Sequence, residues 1–182
     1  AHNIFETLNT RGVRLSNGDL VKSHLVARAH DSAKAVKKWG TVTEALQDEK
    51  NNFEVDLESF LLHFYGSRYG KTVKRELFSD LRPKIAEVDP FTTLDELHES
   101  AVLYHALAHP AQDAAFWENY EVGTQQAVQL INGLGLKQLR YLLLAILRDY
   151  RASADARHRR KDRSTAIKKI ASWSVRGLVH HR

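Results

Sequence analysis

An all-α fold, a bundle of about eight to ten helices, follows from three features of the sequence. Only three prolines and nine glycines interrupt 182 residues, so little of the backbone is barred from helix. Apolar residues recur at i, i+3, i+4 and i+7 through most of the chain, the pattern of one buried helical face. No alternation of apolar and polar residues persists beyond a few positions, so no strand of half-buried character is expected.

The first element is a helix-turn-helix-like pair. Ile4, Phe5 and Leu8 share one face, and Asn9 and Gly12 supply the sharp backbone that ends a helix. Arg11 and Arg14 stand at the rim of the turn. Ser16 or Asn17 can cap the next helix, Asp19 suits its positive first turn, and Leu20, Val21 and Leu25 restart the apolar period. Asp31 and Ser32 can cap a helix through Val36 and Trp39 towards Leu46, with Gly40 leaving open one helix or two. Residues 47–52 form a polar connector.

From Asp56, Leu57, Phe60, Leu61 and Phe64 follow the amphipathic template. The run Tyr65 to Thr72 is expected to close that helix. The next carries Leu77, Phe78, Leu81 and Ile85 and stops near Val88-Asp89-Pro90. Thr92 or Thr93 is expected to start a helix with Leu94, Leu97, Ala101 and Ala108 on one face, ended by His109-Pro110. Phe116, Trp117 and Tyr120 make a short aromatic turn. Val128, Leu130 and Ile131 lead to a glycine stop at Asn132-Gly133-Leu134-Gly135. Leu139, Leu142, Leu143, Ile146, Leu147 and Tyr150 give the cleanest helical period, which predicts the central, most buried helix. Ser164 or Thr165 is expected to cap a last helix with Ile167, Ile170, Trp173 and Leu178 on its apolar face.

Bulk properties exclude several classes. The chain has no cysteine, so disulfides, thiolate catalysis and cysteine-based zinc sites are ruled out, and a cytosolic setting fits. No apolar run reaches the length of a membrane span, and the opening residues are not expected to act as a signal peptide. The formal charge is +5 with a pI near 9.5, weak support for a nucleic-acid partner when taken alone. The charge is concentrated, however. Residues 157–182 hold nine Lys or Arg against one acid, Asp162, a local +8 that leaves −3 for the remainder.

The segment Phe5, Leu8, Asn9, Thr10, Arg11, Gly12, Leu15, Asp19, Leu20, Val21 and Lys22 resembles the Phe-x-x-Leu-Asn-x-x-Gly-x-x-Leu-x-x-x-Asp-Leu-x-Lys stretch of the GmrSD-type restriction endonucleases. These are multi-domain bacterial defence proteins with a ParB-like N-terminal domain and an HNH-type C-terminal nuclease domain. The block from Phe60 to Ile85 resembles the helical region after the ParB-like domain, and Trp173, Val175 and Arg176 resemble the helix before the nuclease domain. The resemblance implies an excised stretch of a longer parent. Residues 1–30 would be the tail of the ParB-like domain, 31–154 a helical core domain, and 155–182 a basic segment leading to a further domain.

It also implies a function. The parent would be an NTP-linked endonuclease attacking modified foreign DNA in the bacterial cytoplasm. This stretch would be its scaffold, with the flanking ParB-like and nuclease domains as partners. Neither the Asp-Gly-Gln-Gln-Arg motif of the first domain nor the nuclease motif of the second is present, so this stretch is expected to be neither catalytic nor cofactor-bearing. The motif residues to watch are Asn9, Thr10, Arg11, Gly12, Asp19 and Lys22. Arg157, Arg159, Arg160, Lys161, Arg163, Lys168 and Lys169 are the candidates for contact with DNA phosphates.

Two other groupings are weaker. Gly66-Ser67-Arg68-Tyr69-Gly70-Lys71-Thr72 has one residue too few between its glycines for a phosphate loop and follows a helix, so a helix exit is expected. His98, His105 and His109 share a helical face, and the last two are spaced to share a metal, but they sit in a leucine- and alanine-rich packing context. No internal repeat is present. A stand-alone helical DNA-binding module and a protein-interaction or oligomerisation module are the alternative readings.

Overall fold

The computed structural model describes residues 15–47, 55–149 and 156–180. Among these residues there are nine α-helices, one short 3-10 turn and no strand, as the fold class requires. The helices are α1 (Asn17–Arg28), α2 (Ser32–Glu44), α3 (Leu57–Tyr69), α4 (Leu77–Ala86), α5 (Pro90–Ala108), α6 (Ala114–Trp117), α7 (Thr124–Gly133), α8 (Arg140–Asp149) and α9 (Ala156–His180). The first half of the helix-turn-helix-like pair, with Asn9, Thr10, Arg11 and Gly12, lies outside the described residues, as does most of the 47–52 connector.

The helix starts are chemically explicit. Ser16 caps α1 by accepting from the Asp19 N–H, while the Asp19 carboxylate accepts from the Ser16 N–H, a reciprocal capping box. Asp31 caps α2 through the Lys34 N–H at 2.9 Å, and the helix runs on through Gly40 as one piece. Asp56 caps α3 through the Ser59 N–H at 3.0 Å. That helix extends through Tyr65 to Tyr69 and stops only at Gly70, whose φ of +108° favours glycine. The start of α5 is not Thr92 or Thr93 but Asp89, which accepts from the Thr92 N–H, with Pro90 in the first turn. A proline there loses no hydrogen bond, since its N–H would have had no partner.

Helix α5 is the centre of the bundle. It packs against α1, α2, α3, α4 and α8, and nine of its nineteen residues are buried, including Leu94, Leu97, Ala101, Tyr104 and Leu107. This corrects the expectation for α8. In α8 Leu143, Leu144 and Leu147 are buried, but Tyr141 and Leu142 are substantially exposed. A sharply periodic helix has, by its nature, a wet side, whereas a helix surrounded by neighbours needs small and apolar residues on several sides.

Helix α1 is clamped at both ends. The Glu58 carboxylate of α3 accepts from the Gly18 N–H and the Asn17 side-chain amide, at 3.2 and 2.7 Å. A negative group there satisfies free N–H groups and meets the positive helix end. Gly18 also lets Leu57 approach: a Cβ at this position would stand 2.6 Å from its Cδ2. At the other end, Arg28 donates to the carbonyls of Ile85, Ala86 and Val88, closing the C-terminus of α4.

These burials give an expected outcome. Leu97→Ala should lower unfolding free energy by about 2–5 kcal/mol, whereas Leu142→Ala should change it by well under half as much. Urea denaturation of the two variants measures the difference, and comparable losses would show that α8, not α5, is central.

Candidate nucleic-acid interface

The basic residues ride on α9. Ser164 does not cap this helix, as the sequence suggested. It lies mid-helix and fully buried. Its hydroxyl donates to the Arg160 carbonyl at 2.8 Å and accepts from the Glu121 N–H at 3.1 Å. The helix therefore begins near Ala156 and takes in the basic stretch. The sequence reads Ser164 as a cap because serine is common there. A serine donating back to the i−4 carbonyl fits inside a helix equally well.

Ile167 and Ala171 continue the buried side of α9, which packs on α7 and α8. At 3.6 residues per turn this sorts the cations. Lys161, Lys168, Lys169 and Arg176 follow one another at i, i+7, i+8 and i+15 along one side. Lys161, Lys169, Arg176 and also Arg160 are exposed, and Lys168 is half-buried. Lys168 donates to the Glu121 carboxylate at 2.9 Å and holds that carboxyl below the usual carboxylate range. Arg159 and Arg163 stand four residues apart on the opposite flank and are half-buried. The side chain of Arg157 is outside the described residues. The six candidates with described side chains are thus brought onto one helix, with Lys161, Lys168 and Lys169 on one side, Arg159 and Arg163 on the opposite flank, and Arg160 between them.

A cavity of about 620 Å³ opens between the Glu118–Glu121 turn and the N-terminal part of α9, where His158, Arg160 and Lys161 line it. Two acids, Glu118 and Glu121, face it beside Arg160, Lys161 and His158, which makes it a poor concentrated anion site. Trp173, expected on the apolar face, is instead three-quarters exposed.

Among the motif residues, Asp19 serves the α1 cap described above, and Lys22 is half-buried on the same helix. The histidines of α5 separate. His98 pairs through Nδ1 with the Thr41 carbonyl at 3.1 Å, and His105 through Nδ1 with Asp113 at 2.7 Å. The rings of His105 and His109 stand 5.2 Å apart, the neighbourhood their spacing predicts. Among the described residues no group of three or more potential ligands could hold a metal ion. The Gly66–Thr72 run is a helix end, with Gly66 inside α3 and Gly70 closing it.

Sequence reasoning missed a partly buried polar chain linking α3, α5, α8 and α7. The Tyr104 hydroxyl, in a fully buried side chain, stands 2.6 Å from His63 Nδ1. The Arg140 guanidinium lies 5.8 Å from the Tyr104 ring centroid, sets a positive charge beside the hydroxyl, and donates to the Asn132 side-chain oxygen at 3.1 Å. The Asn132 amide donates to the Leu107 carbonyl at 2.8 Å. Burial, helped by Arg140, pushes His63 down to about 4. Among the described residues Nδ1 is the one acceptor that the Tyr104 hydroxyl meets, so Tyr104 donates its proton to it and the neutral imidazole carries its hydrogen on Nε2. Separate helices supply these four side chains, and no local motif marks them.

No family model, curated protein or solved structure matches the chain significantly. No described helix is long and apolar enough to cross a membrane.

The His63 assignment has a pH consequence. Its folded value lies below the unfolded 6.5, so between these values the unfolded chain binds more protons. Its contribution is complete above pH 6.5 and is lost as pH falls towards about 4. After discounting for partial exposure it is about 2 kcal/mol. His24, also lowered by burial, acts in the same direction. His63→Gln keeps an acceptor for Tyr104 and should flatten the loss of stability across this window. Urea midpoints follow it, and an unchanged pH slope would reject the assignment.

Proposed function

We propose that this chain is a helical connector from a bacterial, cytoplasmic restriction-type endonuclease of anti-phage defence. In this reading it holds a ParB-like domain and a nuclease domain at a set spacing and contacts DNA phosphates along α9. The family part of the reading rests on the motif of residues 5–22 described above. The DNA part rests on a single observation: a 25-residue helix, about 37 Å long at 1.5 Å per residue, with one side fixed in the core and Lys161, Lys169 and Arg176 exposed on another. Phosphate neutralisation needs cations at the surface, not catalytic groups, and releases counterions as it proceeds.

Fluorescence anisotropy with labelled duplex DNA tests this at several salt concentrations. Binding should be weak, insensitive to sequence and steeply salt-dependent. Lys161→Gln, Lys169→Gln and Arg176→Gln should each lower the salt slope by about 0.9 if each meets one phosphate. Absence of binding at low salt would remove the DNA contact. Tight binding by the chain alone would favour a stand-alone DNA module. A protein-interaction module is favoured by exposed Trp173, and static light scattering should then show self-association that Trp173→Ser abolishes.

A further inference from the structure

The cleft at the end of this polar chain is built like a small-molecule site. It lies between α3, the loop that follows it and α8, with a volume of about 570 Å³, within the range of ligand pockets. Leu62 and the ring of Tyr141 line it as apolar walls, and Gly66 and Gly70 face it from α3 and its end. Leu62, Gly66 and Gly70 follow at i, i+4 and i+8, so beyond Leu62 this edge of α3 and its cap carry no side chain where they meet the cleft. Gly66 sits in a helix interior, where glycine costs about 1 kcal/mol relative to alanine. A Cβ there would meet Tyr141 Cβ in ordinary contact at 3.4 Å, so the approach of α8 does not require glycine, and the absent side chain serves to leave the cleft open.

The polar groups at the cleft have a common sense. The His63 ring lines it and turns Nδ1 to Tyr104, which leaves Nε2–H without a partner among the described residues. The Lys71 side chain is exposed and Gln138 contributes an amide. Thr72 gives its hydroxyl hydrogen to Asp80, which engages that carboxylate. A donor fixed by this relay, a cation and a carboxamide, set around an apolar slot with an aromatic wall, suit an aromatic ring bearing an acceptor of negative charge.

We propose that this cleft binds a small aromatic carboxylate, its ring between Leu62 and Tyr141 and its carboxylate on His63 Nε2–H and the Lys71 ammonium. Tyr104 is a positioning residue: it sets the imidazole tautomer and does not touch the ligand. Binding is non-covalent, and the site is separate from α9.

The probe is 1-naphthoate, followed by NMR on the full chain, with 1-naphthalenemethanol as the neutral match. Naphthoate should bind saturably, shift the amides of His63, Gly66 and Tyr141, and move the His63 Nε2 resonance of an Nε2–H imidazole. The neutral alcohol should bind about ten-fold more weakly, as expected for loss of one charge-assisted hydrogen bond. Lys71→Gln, at an exposed position that should not disturb folding, should weaken naphthoate by a similar factor and leave the alcohol unchanged. Gly66→Leu should fill the cleft and abolish both, with circular dichroism confirming the fold. Equal binding of acid and alcohol, shifts confined to α9, an Nδ1–H tautomer, or no saturation would each overturn the proposal.

Discussion

A phenol hydroxyl at the centre of an apolar bundle has to be hydrogen-bonded, and the arrangement of three helices follows from how this one is. Tyr104 lies in the middle of the most buried helix, with its side chain wholly removed from solvent. Leaving its oxygen unpaired would cost about 1–3 kcal/mol. His63 of α3 meets it at 2.6 Å, and the guanidinium of Arg140, the first residue of α8, lies 5.8 Å from the centroid of the phenol ring. Both groups are then constrained themselves: the imidazole must stay neutral to accept, and the guanidinium must find acceptors. Asn132 provides one and passes the requirement to the Leu107 carbonyl near the end of α5. The chain closes on the helix from which it started, so α3, α7 and α8 are located relative to α5 by directional bonds as well as by packing.

Helix ends do comparable work at α1 and α4. Glu58 completes the N-terminus of α1, and Arg28 completes the C-terminus of α4. Each joins a charged side chain of one helix to the free backbone groups of another. Such contacts orient helices whose apolar faces, taken alone, would tolerate sliding. A similar device reaches the end of α3, where Arg148 donates to the Ser67 hydroxyl at 2.9 Å and to its carbonyl at 2.8 Å.

The local chemistry of helices was legible in the sequence, and the long-range chemistry was not. Ser16, Asp31 and Asp56 announce helix starts because a short polar side chain one turn ahead of an apolar face has few other uses. Ser164 defeats the same reasoning, since its partner, the Glu121 N–H, lies 43 positions away. The inner helix was misjudged for a related cause. Periodicity ranks helices by amphipathicity, and the amphipathic α8 outranks α5, whose apolar residues occupy several sides. The basic stretch could be located by counting charges, but its division into flanks required the phase of α9, which Ser164 and Ile167 fix. Nothing around His63, Tyr104 or Arg140 sets them apart from ordinary core and surface residues until the helices are assembled.

The helical state of the basic stretch is itself imposed by the core. Arg159 and Arg163, one turn apart, repel by a few tenths of a kcal/mol, and with a net +8 over residues 157–182 an isolated segment of this composition would gain little from forming a helix. Ser164, Ile167 and Ala171, all buried, supply the packing that offsets this repulsion. The consequence reaches the surface. Cations on a free segment lose backbone freedom when they engage a polyanion, about 1–2 kcal/mol for each residue fixed. Here that loss is met when the chain folds, and only side-chain freedom is left to lose. Lys161, Lys169 and Arg176 therefore present charge on a rigid line, and any phosphate partner would meet a spacing already set by the burial of the helix's other side.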